Sequence, residues 1–235
     1  MQNKEYIINI DNGNEMVKDT IKMHEETNET LSIKQDNYNF TQAAFYTTVN
    51  DLSALPSTSI KEIAIAGRSN AGKSSLLNYL TNQKKLAFTS KTPGRTQHIN
   101  YFSIDKTNNV FLVDLPGYGY AKVPEAVRTH WIGLLTKYLE TREQLCALVL
   151  IMDSRHPLKD LDYTMLKFFS YRKRPIHIIL SKVDKLNNHE KQMVFNLVNN
   201  TLLEQNFTNY TIQLFSVLKK IGLSELQNKL NILYS

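Results

Sequence analysis

The residues just after Ala66 form a pattern that can hold a phosphate group. They read Gly67-Arg68-Ser69-Asn70-Ala71-Gly72-Lys73-Ser74 and fill every fixed position of the phosphate-binding loop G-x-x-x-x-G-K-[ST]. The two glycines let backbone N–H groups point toward an anion, and a following helix adds its positive end. Lys73 would bridge the β- and γ-phosphates, and the Ser74 hydroxyl would bind the accompanying Mg²⁺. The pattern predicts a site for a nucleoside triphosphate.

A glycine turn can produce such a pattern by chance, so its neighbours matter. Lys61 to Ala66 is apolar at alternate positions, as in a strand. Ser75 to Leu80 places three leucines on one face of a helix. A strand before the loop and a helix after it are the context that a phosphate-binding loop requires.

A second motif, Asp114-Leu115-Pro116-Gly117, follows a predicted strand at Val110 to Val113. It has the form D-x-x-G, in which the carboxylate can reach Mg²⁺ through water and the Gly117 N–H can contact the γ-phosphate. Pro-Gly also favours an ordinary turn. Its place after a strand, downstream of a phosphate-binding loop, favours the functional interpretation.

A third motif, Ser181-Lys182-Val183-Asp184, follows a predicted strand at Ile176 to Leu180 and has the form [NTS]-K-x-D. The Asp184 carboxylate can accept two hydrogen bonds from guanine, whereas adenine lacks that pair of donors, so GTP is favoured over ATP. Ser181 carries a hydroxyl without a methyl or amide, which predicts somewhat weaker base affinity. After a strand at Thr211 to Phe215, backbone N–H groups could reach guanine O6 from Phe215, Ser216 and Val217.

The residue after Gly117 bears on catalysis. Many GTPases place a glutamine there to orient the attacking water, but this chain has Tyr118. A phenol can bond water but lacks the paired donor and acceptor of an amide, which predicts slow intrinsic hydrolysis completed by a partner. Two alternatives stay open for Tyr118 and Tyr120: an exposed, mobile segment that contacts RNA or protein, or packing on the following helix.

The polar loop Thr89 to Gln97 is where a threonine would complete the Mg²⁺ shell. The residues alone do not choose among Thr89, Thr92 and Thr96.

Strands and helices alternate along the rest of the chain, which predicts a mixed, mainly parallel sheet with helices on both faces. In such α/β folds, ligands lie beyond the carboxyl ends of the strands. The remaining predicted strands are Ile99 to Ile104, in a hairpin with Val110 to Val113, and Leu145 to Met152. The remaining predicted helices are Glu125 to Thr141, Leu158 to Tyr171, Glu190 to Glu204 and Ser224 to Leu233.

Charge divides the chain into two parts. Residues 1–37 carry four lysines against eight acidic residues, a net charge of −4, which leaves +10 for residues 38–235. The first part reads as a disordered acidic extension, or as the product of a start codon assigned too early. The second part is basic, which favours a polyanionic partner such as nucleic acid, although solvated lysines explain many basic proteins.

Composition excludes several classes of protein. At 235 residues with 42% hydrophobic content, one domain is expected. The single cysteine, Cys146, excludes an internal disulfide and a multi-cysteine metal site, and its apolar surroundings predict a buried thiol. No run is long enough for a membrane span or a signal-peptide core, so a cytoplasmic protein without membrane contact is expected.

Five segments together resemble the EngB family of bacterial Ras-like GTPases. They read G-R-S-N-A-G-K-S-S, S-K-T-P-G-R-T-Q, D-L-P-G-Y-G-Y-A, R-H-P-L-K-D-L-D and F-S-V-L-K-K-I-G. The match covers about residues 38–235 and implies a Ras-like GTPase domain there. It departs from the family at Ser181, where threonine is usual, and in the acidic extension.

The resemblance implies site residues that spacing alone does not choose. It selects Thr96 as the threonine linked to Mg²⁺ and implies that nucleotide is contacted by Gly94, Arg95, Thr96, Gln97 and His98. The metal residues are then Ser74 and Thr96, and hydrolysis is expected to depend on Lys73, Thr96 and Gly117. Similar potassium-stimulated GTPases have an asparagine at the position of Asn70, where K⁺ could replace an arginine finger; loop geometry is the alternative explanation.

The resemblance also implies a role in assembling the large ribosomal subunit and a requirement for normal cell division and septation. The expected partners are GTP or GDP and the large subunit or its precursor, with its rRNA and proteins, bound by a monomer. A candidate ribosome contact is the loop Arg155-His156-Pro157-Leu158-Lys159, which could also be a simple lead into a helix. Two other functions remain: a ribosome- or RNA-binding module in which nucleotide is mainly structural, and an ATPase, which Asp184 disfavours.

Overall fold

The structure, a computed structural model, describes residues 37–87, 98–119 and 125–235. Within these ranges the chain forms seven strands and five α-helices. In chain order they are β1 (Ala44–Val49), β2 (Lys61–Gly67), α1 (Lys73–Leu80), β3 (Ile99–Ser103), β4 (Val110–Asp114), α2 (Glu125–Thr141), β5 (Leu145–Asp153), α3 (Asp160–Ser170), β6 (Ile176–Ser181), α4 (Asn188–Glu204), β7 (Tyr210–Leu214) and α5 (Leu223–Tyr234).

All seven strands belong to one sheet, in the order β1-β3-β4-β2-β5-β6-β7. Five neighbouring strands, β4, β2, β5, β6 and β7, run parallel to one another. Strand β3 pairs antiparallel with both β4 and β1. This confirms the predicted mixed, mainly parallel sheet. Strand β2 lies at the centre, so the loop that leaves it has the ends of β4 and β5 on either side.

Helices cover both faces of the sheet. Buried residues of α1 and α5 pack on one face, and those of α2, α3 and α4 pack on the other. Strand β5 is buried along nearly its whole length because both of its faces are covered, which accounts for its unbroken apolar sequence. Among the described residues, no helix is both long and apolar enough to cross a membrane.

Two features differ from the sequence prediction. Strand β1 was not predicted, because most of its residues are exposed at the edge of the sheet and show no alternation of apolar and polar side chains. Helix α3 begins at Asp160 rather than at Leu158, whose φ of 54° is left-handed and cannot continue a helix. The other predicted helices and strands agree with the structure to within two residues.

The cysteine is structural, as predicted. Cys146 is largely buried on β5, and its Sγ lies 3.0 Å from the Glu62 carbonyl oxygen, to which it can donate. Burial raises the pKa of the thiol to about 11. The thiol is therefore protonated at neutral pH and a poor nucleophile.

Candidate nucleotide-binding site

The three motifs lie at the carboxyl edge of the parallel strands. The phosphate loop (residues 67–74) follows β2, the D-x-x-G segment (residues 114–117) follows β4, and the guanine motif (residues 181–184) follows β6. The β7 end supplies residues 215–217 beside the guanine motif. Sheet order thus brings together residues that are more than a hundred positions apart in the chain.

Glycine is required at two points of the phosphate loop. A Cβ at Gly67 would lie 2.5 Å from the Ile151 carbonyl oxygen on β5, so the loop could not leave β2 along this path. Gly72 is the N-cap of α1 with a φ of 111°, a conformation that side chains disfavour. Helix α1 therefore begins at Lys73, with its unpaired first-turn N–H groups at the loop.

The D-x-x-G segment binds the first half of the phosphate loop. The Ser69 N–H donates to the Tyr118 carbonyl oxygen at 2.9 Å, and Ser69 Oγ donates to the Gly117 carbonyl oxygen at 3.2 Å. A Cβ at Gly117 would lie 3.0 Å from Lys73 Nζ. Gly117 is thus in direct contact with the side chain expected to bind phosphate.

The guanine motif binds the second half of the same loop. Ser181 Oγ lies 2.6 Å from the Ala71 carbonyl oxygen, and Lys182 Nζ lies 2.6 Å from the Asn70 carbonyl oxygen. Ser181 is buried, so its hydroxyl holds the loop instead of facing a base. Asn70 is exposed with a φ of 66°, a left-handed conformation that asparagine tolerates, which favours loop geometry as one reason for its presence.

Asp184 is oriented by the end of β7. Ser216 Oγ donates to Asp184 Oδ1 at 2.6 Å, and this hydrogen bond holds the pKa of the carboxyl below its ordinary value. The Phe215 and Ser216 N–H groups already donate to the Leu180 and Ile221 carbonyl oxygens. Among these three described residues, only the Val217 N–H has no hydrogen bond within the protein, and the contact of this segment with guanine O6 stays a prediction.

Lys73 and Asp114 form the charged centre of the site. Burial lowers the pKa of Lys73 and raises the pKa of Asp114 to about 6, and in each case the charge of the other residue opposes the shift. Asp114 Oδ1 is buried and has no hydrogen-bond partner among the described residues. A buried carboxylate oxygen without a donor is costly, and it suits a hydrated cation, so these residues fit Mg²⁺.

Some of the remaining predicted site residues lie within the described part of the chain, and others lie outside it. Leu115 and Pro116 are buried, Ser74 and Arg68 are half-buried, and His98 is exposed. Val183 is buried and begins a short 3₁₀ helix that contains Asp184. Gly94, Arg95, Thr96 and Gln97 lie outside the described residues, as do Thr89, Thr92, Tyr120 and residues 1–36.

Tyr118 is not placed to orient water. Its side chain is only 5% exposed, and its hydroxyl donates to Asp162 Oδ1 on α3 at 2.7 Å. Of the two alternatives, an exposed aromatic is wrong for Tyr118, which packs inside the protein. The helix that receives its hydroxyl is α3, not α2, the helix that follows it in the chain.

Sequence reasoning missed Asp153, the last residue of β5. Asp153 Oδ2 lies 2.9 Å from Lys182 Nζ, and the Arg155 guanidinium binds both Asp153 oxygens at 2.9 and 2.6 Å. Burial raises the Asp153 pKa, but these hydrogen bonds outweigh it and hold the pKa well below its usual range. The signal available in the sequence was a polar residue directly after the central apolar run.

Known GTP-binding proteins are similar to this chain in sequence. The family profile described as "50S ribosome-binding GTPase" matches residues 62–182. The chain is 56% identical over 188 residues to a protein of Laribacter hongkongensis named "Probable GTP-binding protein EngB", covering 80% of this chain and 83% of that one. It is 57% identical over 187 residues to a protein of the same name from Neisseria meningitidis serogroup C, covering 79% and 88%.

The chain belongs to the EngB family. A crystal structure of a probable GTP-binding protein engB has a similar fold, with a TM-score of 0.57 at 21% identity over 74% of this chain and 98% of that one. As an EngB-family member the chain is a GTP-binding protein and a GTPase. The Ras-like GTPase fold expected from the resemblance is confirmed.

Proposed function

We propose that this EngB-family GTPase is a molecular switch in the assembly of the large ribosomal subunit. The observation that carries the proposal is that the phosphate loop is hydrogen-bonded to the D-x-x-G segment on one side and to the guanine motif on the other. A nucleotide bound to the loop would therefore contact all three motifs at once. The family description as ribosome-binding and the charge of +10 on residues 38–235 support a ribosomal partner.

Each motif has one part in the proposed cycle. Asp184 selects guanine, Lys73 neutralises the β- and γ-phosphates, and the Gly117 N–H contacts the γ-phosphate. Ser74 and Thr96 would hold Mg²⁺ directly and Asp114 through water; the ion would neutralise negative charge on the phosphate oxygens. When the γ-phosphate is lost, the Gly117 N–H loses its partner and the segment can move. The hydrogen bonds that Ser69 donates to the Gly117 and Tyr118 carbonyl oxygens would then weaken.

Hydrolysis without a partner should be slow. The hydroxyl of Tyr118, at the position where many GTPases have glutamine, is committed to Asp162, so this residue does not position water. We propose that the ribosomal particle, or K⁺ bound near Asn70, completes the catalytic site. Equal turnover in K⁺ and Na⁺ buffers, with and without particles, would remove K⁺ from the proposal.

The experiment that tests the function is GTP turnover in K⁺ buffer, alone and with purified large ribosomal subunits. Small subunits serve as the control particle, and Lys73→Ala serves as the blank. We expect a stimulation of at least tenfold by large subunits only. Bound nucleotide without stimulation would favour a module in which nucleotide is mainly structural.

A binding measurement separates a switch from a static module. A switch must bind the particle with different affinity in its GTP and GDP forms, because a ligand shifts an equilibrium only by its differential affinity. We expect tighter binding with a non-hydrolysable GTP analogue than with GDP. Equal affinities would exclude control of association by nucleotide.

Cell division depends on this assembly step in our proposal. Depletion should cause large-subunit precursors to accumulate first and septation to fail later. The reverse order would indicate a separate division role. We further propose a cytoplasmic monomer whose GTPase domain is residues 38–235, so that a chain starting at residue 38 keeps its GTP turnover.

A further inference from the structure

Tyr118 connects three parts of the molecule. Its backbone pairs with Arg68 of the phosphate loop as an isolated parallel bridge, and its carbonyl oxygen accepts the Ser69 N–H. Its side chain lies in the core between the sheet and the helices, and its hydroxyl ends at Asp162. The residue directly after Gly117 is therefore held at both its backbone and its side chain.

Asp162 is equally constrained. It lies in the first turn of α3 with no exposed surface. One carboxylate oxygen accepts from the Tyr118 hydroxyl at 2.7 Å, and the other accepts from the Lys159 N–H at 3.0 Å. Burying a carboxylate costs free energy unless both of its oxygens accept hydrogen bonds. Loss of either donor would therefore leave one Asp162 oxygen buried without a partner.

We propose that Asp162 is a positioning residue for GTP, acting through the Tyr118 hydroxyl to hold Gly117 where its N–H meets the γ-phosphate. This inference rests on the proposed role of Gly117. In this proposal Asp162 acts only through Tyr118 and does not contact the nucleotide. It also links the nucleotide site to the 155–159 loop, because Lys159 ends that loop and shares the same carboxylate.

The chemistry predicts an effect specific to GTP. Only GTP offers a γ-phosphate to Gly117, whereas GDP is bound by the phosphate loop and the guanine motif. Neither of these segments has a hydrogen bond to the Asp162 carboxylate among the described residues, although the charge of Arg68 in the phosphate loop acts on it. A general loss of packing would weaken both nucleotides alike. The ratio of the two dissociation constants therefore separates positioning from stability.

The test measures dissociation constants for a non-hydrolysable GTP analogue and for GDP in the full chain. The variants are Tyr118→Phe, which removes the donor hydroxyl, Asp162→Ala, which removes the acceptor carboxylate, and the two combined. We expect each single change to weaken analogue binding about tenfold and GDP binding less than twofold. The double variant should be no weaker than either single one, because both remove the same contact.

Tyr138→Phe is the matched control. Tyr138 is also fully buried and donates to a carboxylate, Glu62 Oε2, at 2.8 Å, but at the opposite end of the sheet. It should lower stability and leave the ratio of the two constants unchanged. Equal weakening of both nucleotides by Tyr118→Phe, or additive effects in the double variant, would overturn the proposal.

Gly117→Ala distinguishes failure of this inference from failure of its premise. If Gly117→Ala weakens the analogue selectively while Tyr118→Phe does not, Gly117 keeps its role and only the positioning by Asp162 is wrong. If Gly117→Ala weakens both nucleotides alike, its Cβ has displaced Lys73 and Ser69 of the phosphate loop, which lie 3.0 to 3.2 Å from it, and the result of Tyr118→Phe decides the inference. Near-ultraviolet circular dichroism checks folding, and Tyr118→Phe alone decides the test if Asp162→Ala does not fold.

Discussion

Two buried carboxylates on neighbouring strands, at opposite ends of the sheet, have opposite surroundings. Glu62, near the start of β2, has no exposed surface, and both its oxygens are bonded: by Arg142 at 2.8 and 2.6 Å, by Tyr138 at 2.8 Å and by Tyr101 at 3.2 Å. Asp114, at the end of β4, is 4% exposed and has one oxygen without a partner among the described residues.

The difference separates stability from function. At the Glu62 end, hydrogen bonds from within the protein satisfy the charge, so nothing more is needed from solvent or ligand. At the Asp114 end, burial raises the pKa to about 6 and part of the carboxylate stays unsatisfied. A site that binds an ion or phosphate must keep such groups unpaired, at a cost in stability that the bound ligand offsets.

The largest expected effect is on stability at the Glu62 end. Glu62→Gln removes the negative charge to which Arg142 and two tyrosines donate hydrogen bonds. Because breaking a buried ion pair costs about 3–5 kcal/mol, the loss of stability should be large. Urea denaturation should show a loss of that size in the free energy of unfolding, with nucleotide affinity unchanged. Glu143→Gln makes the same chemical change at an exposed position and serves as the control. Weaker GTP binding by folded Glu62→Gln would contradict the conclusion that Glu62 serves stability alone.

The second prediction concerns the Asp114 end. Asp114→Asn removes a buried, partly unsatisfied charge, so the free energy of unfolding without nucleotide should change by less than about 1 kcal/mol. GTP turnover should fall about 100-fold to 1,000-fold, the range seen when a group that stabilises developing charge is removed. Asp160→Asn, at an exposed position on α3, is the control. Normal turnover with a large loss of stability would reverse our assignment of the two ends.

The smallest predicted effect concerns His177, a buried side chain whose hydrogen bonds are satisfied while it is uncharged. His177 is buried on β6, its Nδ1 lies 2.8 Å from Thr211 Oγ1 and its Nε2 lies 2.9 Å from Gln213 Oε1. Burial lowers its pKa from 6.5 to about 4, against the opposing Gln213 hydrogen bond. Between these values the unfolded chain binds a proton that the folded protein does not, so stability falls as pH falls, by at most about 3 kcal/mol.

Urea denaturation at pH 7 and pH 4.5 of the natural chain and His177→Gln measures this effect. The variant should lose less stability on acidification. Asp114 titrates in the same range with the opposite sign, since its pKa is raised, but it is present in both proteins and cancels in the difference. Identical losses in the two proteins would show that His177 is not held neutral.

Much of the architecture follows from local patterns. The apolar run of β5 and the leucine face of α1 can be recognised in the sequence because each depends on residues that are close together in the chain. Strand β1 cannot be recognised in this way, because an exposed edge strand is defined by its pairing with β3, and pairing leaves no periodic signal.

The three nucleotide motifs can be found in the chain without its fold, since phosphate and guanine recognition require particular residue types at fixed spacing along one loop. How these loops support one another depends on the folded arrangement. Ser181 holds the Ala71 carbonyl oxygen, Ser216 orients Asp184, and Asp162 receives the Tyr118 hydroxyl. Each of these contacts joins the ends of different strands and helices, and the order of strands in the sheet, which no local spacing encodes, decides which ends are neighbours.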